Sequence, residues 1–277
     1  WTPFFRTWEL KGTYPKILED QIMGETARNL FADAKGLLEQ IVEKRLLTAK
    51  AVVGFWPANS VGDDIEVYES VDPVHRQAIL HTLRQQMRQG RGKANFALAD
   101  FIAPLACQHV DYIGGFAVCV GFGLGALVAE FEKNHDDYNA IMARALADRL
   151  AEAFAERMHE RVRTELWGYA KNEAFSKHEL IREQYQGIRP APGYPACPDH
   201  SEKQTLFELL AVEKKIGIKL TENYAMWPAA AVSGFYFSHP QSRYFAVSKI
   251  QRDQVKDYAR RKNMSEVEVE KWLAPVL

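Results

Sequence analysis

The stretch Arg189–His200 reads RPAPGYPACPDH, with Pro190, Pro192, Pro195 and Pro198 set around a single glycine, Gly193. No helix interior or central strand accepts that spacing, because proline has no N–H to give and its ring clashes with the preceding turn. Each residue before a proline is also pushed out of the helical region, so the segment is expected to be extended. The prolines lower the entropy lost on fixing it. Extended chain pairs poorly with itself and leaves amides and carbonyls free, and Gly193 lets a ligand approach with no Cβ in the way. Arg189 suits a carboxylate, which it grips with two parallel hydrogen bonds, and Tyr194 suits the face of a flat ring. Two readings stand for this stretch: a rigid connector, or a backbone cradle for a small molecule.

Outward from it, the chain is helical in long blocks and extended in clusters. Apolar residues at Ile22, Ala27, Leu30, Phe31, Ala34, Leu37, Leu38 and Ile41 recur at three- and four-residue steps and predict a helix over about Leu18–Lys44. Ala51–Phe55 reads as a buried strand, followed by a loop carrying Pro57, Asn59 and Gly62, then a strand over Asp64–Tyr68. Tyr112–Val120 reads as a third strand. A long helix is expected over Asp136–Glu165, with Tyr138, Met142, Leu146, Leu150, Ala153, Phe154 and Met158 on its apolar stripe. Ser201 with Gln204 matches a capping box for a helix running to about Lys215. AVSGFYF and RYFAVSKI flank SHPQS and read as a hairpin. Two short helices close the chain, the second capped by Ser265 and stopping near Pro275. Clustered strands and longer helical blocks favour α+β over a regular βαβ alternation. With no composition shift or solvated linker, residues 1–277 are read as one domain. Beginning on Trp1, the sequence is read as a fragment of a larger chain.

The bulk numbers exclude several classes. Of 277 residues, 47 % are hydrophobic and 26 % charged, an ordinary globular composition. The net charge of −1 argues against a nucleic-acid surface, which needs clustered positive charge. No apolar run approaches the ~18 residues of a membrane span. Three scattered cysteines, Cys107, Cys119 and Cys197, make no disulfide framework, so a reducing cytoplasm is the expected location. The eight histidines show no metal-ligand spacing, and most of them are expected at the surface or at caps. Gly121–Gly125, GFGLG, lacks the spacing of a dinucleotide loop.

Two further features bear on chemistry. Cys197 lies close to His200 and just ahead of a helix start, the setting in which a thiol can become a nucleophile; the alternative is a small packed residue in a tight loop. Asp148, Glu152 and Glu156 share one face of the long helix. With Arg144, Arg149 and Arg157 nearby, that face reads either as a solvated salt-bridged surface or as an acidic strip toward a cationic ligand or partner.

Many long ordered blocks of this sequence resemble one family. RPAPGYPACPDHSEK, TWELKGTYPKIL, VVGFWPANSVGDDIEVY, LADFIAP, DYIGGFAV, HDDYNAIMARALADRLAEAFAERMHERVR and LTENYAMWPAAAVSGFYFSHPQSRYFAV are similar to the reactivation domain of cobalamin-dependent methionine synthases, the part that binds S-adenosylmethionine. The resemblance spans essentially the whole chain. It implies a C-shaped α+β domain with a twisted antiparallel sheet flanked by helices. It implies reductive methylation of oxidised cobalamin, held by a neighbouring domain, within a methyltransferase enzyme. The family's binding motif falls on Arg189, Gly193 and Tyr194. The resemblance assigns Arg189 to the ligand's carboxylate and the backbone around Ala191 and Gly193 to its adenosyl part. It makes Tyr244 and Phe245 a second contacting pair and places the Glu152 carboxylate near the ligand. Asp148 is expected to face the cobalamin-binding domain, and a flavodoxin or equivalent flavoprotein to supply electrons. No catalytic side chain is implied, since the reduced cobalt is the nucleophile. Two departures stand out: an aspartate that the family carries just ahead of Trp1 lies outside this sequence, and Phe122–Leu127, FGLGAL, replaces adjacent acidic residues.

Overall fold

The computed structural model describes residues 1–277 apart from 89, 91 and 93. The chain is mixed α+β, with a five-stranded antiparallel sheet flanked by helices. Its strands are β1 (Thr48–Val61), β2 (Asp64–Tyr68), β3 (Arg76–His81), β4 (Asp111–Phe122) and β5 (Ala231–Tyr236), in the order β3-β2-β1-β4-β5. The helices are α1 (Thr2–Thr7), α2 (Gly24–Glu43), α3 (Leu124–Lys133), α4 (Asp137–Arg161), α5 (Lys177–Ile181), α6 (Glu202–Leu210), α7 (Val212–Ile216), α8 (Arg252–Lys262) and α9 (Glu266–Leu273). None of the described helices is long and apolar enough to cross a membrane.

Contacts gather into two compact units. The first holds Trp1–Ala51, Val118–Arg157 and Met226–Val232; the second holds Val52–Ala117, Met158–Ala225 and Ser233–Leu277.

In the first unit, α2 buries Ala27, Leu30, Ala34, Leu37 and Ile41, the three- and four-residue recurrence of a helix face. The helix begins at Gly24 rather than Leu18. Asp20 accepts hydrogen bonds from the N–H of Ile22 and Met23 at 2.9 and 2.8 Å, a local turn that competes with helix, and Ile22 is left 90 % exposed. Helix α4 buries Ala143, Ala147, Ala151 and Ala155 at four-residue steps. These small side chains let it lie close to Val120 and Ala230, while Ala153 and Tyr138 of the expected stripe are exposed. Trp1, Phe4, Phe5 and Phe31 close the other side of the cluster, with the Trp1 and Phe31 rings 4.7 Å apart edge to face.

In the second unit, β1 continues through Pro57 and Asn59, where a loop was expected. The Asn59 amide donates to the carbonyls of Ala103 and His109 at 3.0 and 2.7 Å, so a turn-forming residue is used inside the strand. The turn is only Gly62–Asp63, since Val61 already pairs with Asp64. Strand β3 pairs with β2, Asp64 opposite His81; it carried no pattern that the sequence reading used. Ser265 caps α9 as expected, accepting from the Glu268 N–H.

Two expectations fail here. The Ser201–Gln204 capping box does not form. Ser201 accepts instead from Lys262 Nζ at 2.7 Å, and Gln204 donates to Glu208. The second arm of the expected hairpin, Arg243–Ile250, is not a strand. Its Val247 N–H donates to Pro195 O at 2.8 Å and its Ile250 N–H to Val276 O at 2.9 Å, so it spans between two other segments instead of pairing with β5.

Lys262 is the centre of a buried charge network. Its ammonium donates to Asp199 at 2.7 Å and to Glu202 at 2.6 Å, with all three side chains under a tenth exposed. Tyr258 also donates to Asp199, at 2.9 Å. Burial opposes ionisation of both carboxylates; at Asp199 the ammonium and the Ser201 donors win and its pKa is lowered, whereas at Glu202 burial wins and it is raised. Replacing Lys262 with Met strands two buried carboxyls, and the expected loss is about 3–5 kcal/mol of stability, read as a lower urea midpoint.

Candidate functional site

The proline segment is held at the edge of β5. The Ile188 N–H donates to Phe237 O and the Phe237 N–H to Ile188 O, both at 3.0 Å; the Phe235 N–H then donates to Pro190 O at 2.9 Å. Proline at 190 has no N–H to return, which suits an edge and ends the ladder. Gly234 makes the approach feasible, since a Cβ there would stand 2.6 Å from Pro190 O.

Beyond Pro190 the chain is not extended, as the sequence reading expected; it makes two successive turns. The Tyr194 N–H donates to Ala191 O at 3.1 Å across Pro192 and Gly193. Gly193 has φ +95°, and proline followed by such a glycine is the pattern of a type II turn. The Cys197 N–H then donates to Tyr194 O at 2.9 Å, and the Gly193 N–H to Cys197 O at 2.7 Å. The amide of Gly193 is therefore committed within the protein. A Cβ at Gly193 would also run into the ring of His200. Tyr194 is 57 % exposed, with the turn holding its backbone on both sides.

Arg189 stands at the junction of the ladder and the turns. Its Nη1 donates to the Tyr185 hydroxyl at 2.8 Å and lies 3.3 Å from His159 Nδ1. Its backbone N–H donates to the Tyr244 hydroxyl at 3.0 Å. Tyr244 is 39 % exposed, and burial raises the pKa of its hydroxyl. Tyr185 hydrogen-bonds to the same hydroxyl. Arg189, Tyr185 and Tyr244 thus form a closed loop of bonds. Phe245, expected to act beside Tyr244, is packed among Phe96 and Phe101 at ring distances of 6.2 and 6.3 Å.

Behind Arg189 lies a second buried ion pair. Arg163, 1 % exposed, donates to both oxygens of Glu173 at 2.6 and 2.5 Å, and its guanidinium covers the Tyr185 ring at 4.0 Å. His159 is fully buried, an exception to the surface or capping positions expected of most histidines. Burial, then the charges of Arg163 and Arg189, hold its pKa well below the usual imidazole value. His159, Arg163 and Tyr185 were not singled out in the sequence. A tyrosine four residues before the arginine and a histidine at the foot of the long helix were the available signals, and neither has meaning until the chain is folded.

Asp148 and Glu152 lie on α4 in the first unit, Asp148 exposed and Glu152 half-buried. Arg144 pairs with Glu132 of α3 at 2.6 Å. The thiol of Cys197 is buried, and burial followed by the charges of Glu202 and Asp199 pushes its pKa well up. That is opposite to what a nucleophilic thiolate needs, and the reading of Cys197 as a nucleophile beside His200 falls.

In the folded chain a small thiol reagent labels exposed Cys107 first and leaves Cys119 and Cys197 protected until the protein unfolds; early labelling of Cys197, read by peptide mass mapping, contradicts its assigned burial. His159 and His200 both have folded pKa values below the unfolded value of about 6.5. Their contribution to stability is complete above that pH and is lost as pH falls below it. Urea titrations between about pH 7 and pH 5 should show this loss, and His159→Gln should reduce it.

Comparison with known proteins agrees with this frame. The family model described as the vitamin B12 dependent methionine synthase activation domain matches residues 1–263. A solved structure of the MetH reactivation domain bound to AdoHcy is 60 % identical in sequence, with a TM-score of 0.96, over 100 % of this chain and 85 % of that one. With a family match over nearly its whole length and a likeness that covers all of it, this chain belongs to the activation domains of vitamin B12 dependent methionine synthases.

Proposed function

We propose that residues 1–277 act as one activation domain that binds S-adenosylmethionine along the Arg189–Tyr194 turn. In this reading the domain serves the reductive methylation of cob(II)alamin carried by a neighbouring domain of the same methyltransferase. The observation that carries the reading is the 60 % identity, over the entire chain, to a reactivation domain solved with AdoHcy, the species S-adenosylmethionine becomes after giving up its methyl group.

The residues fit such a ligand. Arg189 offers a guanidinium whose direction is already set by Tyr185 and His159, and a carboxylate is its natural partner. The exposed Tyr194 offers a ring face, and Ala191 and Gly193 offer a rigid turn against which an adenosyl group can lie. Tyr244 holds the Arg189 backbone, and Phe245, next to it in sequence, is proposed as the second member of the contacting pair. Aromatic faces and carboxylates both favour a sulfonium cation, which is the role proposed for Glu152. Asp148, exposed on α4, is proposed to face the cobalamin-binding domain.

Reductive methylation of cob(II)alamin to methylcobalamin takes one electron and one methyl group and leaves S-adenosylhomocysteine. The domain's task is positional: to hold the sulfonium so that its methyl points out of the turn along the line of transfer. No side chain of this chain is required as nucleophile or base. A flavodoxin-like flavoprotein is the proposed electron donor and the cytoplasm the proposed location, both resting on the family relation.

Calorimetric titration of S-adenosylmethionine, with S-adenosylhomocysteine beside it, tests the reading. One-to-one saturable binding is expected, and Arg189→Ala should weaken it by about 2–4 kcal/mol, the scale of a lost charge-assisted pair. An Arg189→Ala chain that folds and binds with unchanged affinity would show that the carboxylate is held elsewhere. Absence of any binding at about millimolar ligand would mean either that residues ahead of Trp1 are needed or that the domain only docks, and a short N-terminal extension separates the two.

A further inference from the structure

We propose that His159 is the positioning residue for Arg189: its Nδ1 acts as a fixed, unprotonated acceptor that, with the Tyr185 hydroxyl, sets the guanidinium to meet the ligand's carboxylate. This rests on the reading of Arg189 given above and extends it to a residue that contacts no ligand.

A guanidinium has only N–H donors. His159 Nδ1, 3.3 Å from Arg189 Nη1, accepts from it only as the bare nitrogen; the ring proton is then on Nε2, which is buried with no hydrogen-bond partner among the described residues. A second cation, Arg163, lies over the Tyr185 ring at 4.0 Å, and its charge, like that of Arg189, acts on His159. An imidazolium near these two guanidinium groups would be repelled by both and would withdraw the acceptor at once. The surroundings hold the ring in place as well as keeping it neutral. It stacks on Tyr236 at 5.2 Å and 17°, and meets Tyr185 edge to face at 5.0 Å and 84°. Tyr185 is fixed in turn by its bond from Arg189 and by Arg163, which Glu173 anchors through two bonds. The groups facing His159 are thus Arg163, Arg189, Tyr185 and Tyr236, with Glu173 behind Arg163. A buried side chain needed only for packing would not require a nitrogen there, and phenylalanine would fill the same space against Tyr236. The nitrogen is the informative atom.

The test separates an acceptor from a packing residue. S-adenosylhomocysteine and its decarboxylated analogue, which keeps the amino group and loses the carboxylate, are titrated into the unaltered chain and into His159→Phe, His159→Asn and Arg189→Ala. His159→Phe should lose roughly tenfold or more in affinity for S-adenosylhomocysteine, the worth of one charge-assisted bond, with little change for the decarboxylated analogue. His159→Asn, which restores an acceptor, should recover part of the loss. Equal losses for both ligands, or none, overturn the proposal. If Arg189→Ala itself treats the two ligands alike, the carboxylate reading fails and the proposal with it; if Arg189→Ala discriminates and His159→Phe does not, only the proposal fails. Should His159→Phe not fold, nitrogen NMR of the unaltered chain decides. The expected state at about pH 6 is a neutral ring protonated on Nε2, and a charged ring or one protonated on Nδ1 overturns the assignment.

Discussion

The pair of hydrogen bonds between Ile188 and Phe237 sets the course of everything that follows in the site. It registers the chain against β5 one residue before Arg189, and Phe235 adds a third bond to Pro190 O. Pro190 and Pro192 then make further ladder impossible, because neither has an N–H. The chain must leave the sheet edge at that point. The Pro192–Gly193 pair turns it, and the Gly193 and Cys197 amides tie the turn to itself. Arg189 is thereby fixed at its backbone by the sheet edge and the Tyr244 hydroxyl before its side chain makes any contact. A binding arginine on an ordinary loop would spend part of its interaction energy on ordering that loop.

Charge is handled on both sides of the segment by burial with pairing. Arg163 and Glu173 lie behind Arg189, and Lys262 with Asp199 and Glu202 lies behind Asp199–Ser201 at the other end. Buried ion pairs of this kind add little to net stability compared with apolar residues of the same size, yet cost heavily when one partner is lost. Their effect here is geometric. Each admits one arrangement of the chain around it, and between them they bracket Arg189–Ser201. The same logic explains why Cys197 is a poor nucleophile. It sits beside the anionic side of the second network, which disfavours its thiolate.

What the sequence made legible was set by how local the cause is. Helices α2 and α4 follow from apolar spacing and α9 from the Ser265 cap, and Pro-rich Arg189–His200 stood out as the candidate segment. Its conformation was only half legible: the pre-proline rule excludes helix, but turn bonds made by Gly193 and Cys197 need the fold around them. Ser201 failed as a capping box because Lys262, some sixty residues away in sequence, competes for its hydroxyl at 2.7 Å. Pro57 and Asn59 read as loop residues because turn propensity is local, whereas the carbonyls of Ala103 and His109 that use the Asn59 amide are not. Tyr244 was expected from family likeness as a ligand contact, and its bond to the Arg189 backbone could not be read from the sequence. His159 was the deepest omission. A histidine's meaning depends on which nitrogen faces which neighbour, and no sequence pattern carries that.

The central claim is that the turn is formed before any ligand arrives and that the ligand lands on it. Amide hydrogen exchange, resolved by residue in the free chain and with S-adenosylhomocysteine added, tests both halves. The account predicts that the Ile188, Gly193, Cys197 and Phe237 amides are already slow in the free chain, and that the ligand's added protection centres on residues 189–197 and the neighbourhood of Tyr244. Free exchange at those four amides until ligand is added, or ligand protection that falls away from this segment, would contradict it.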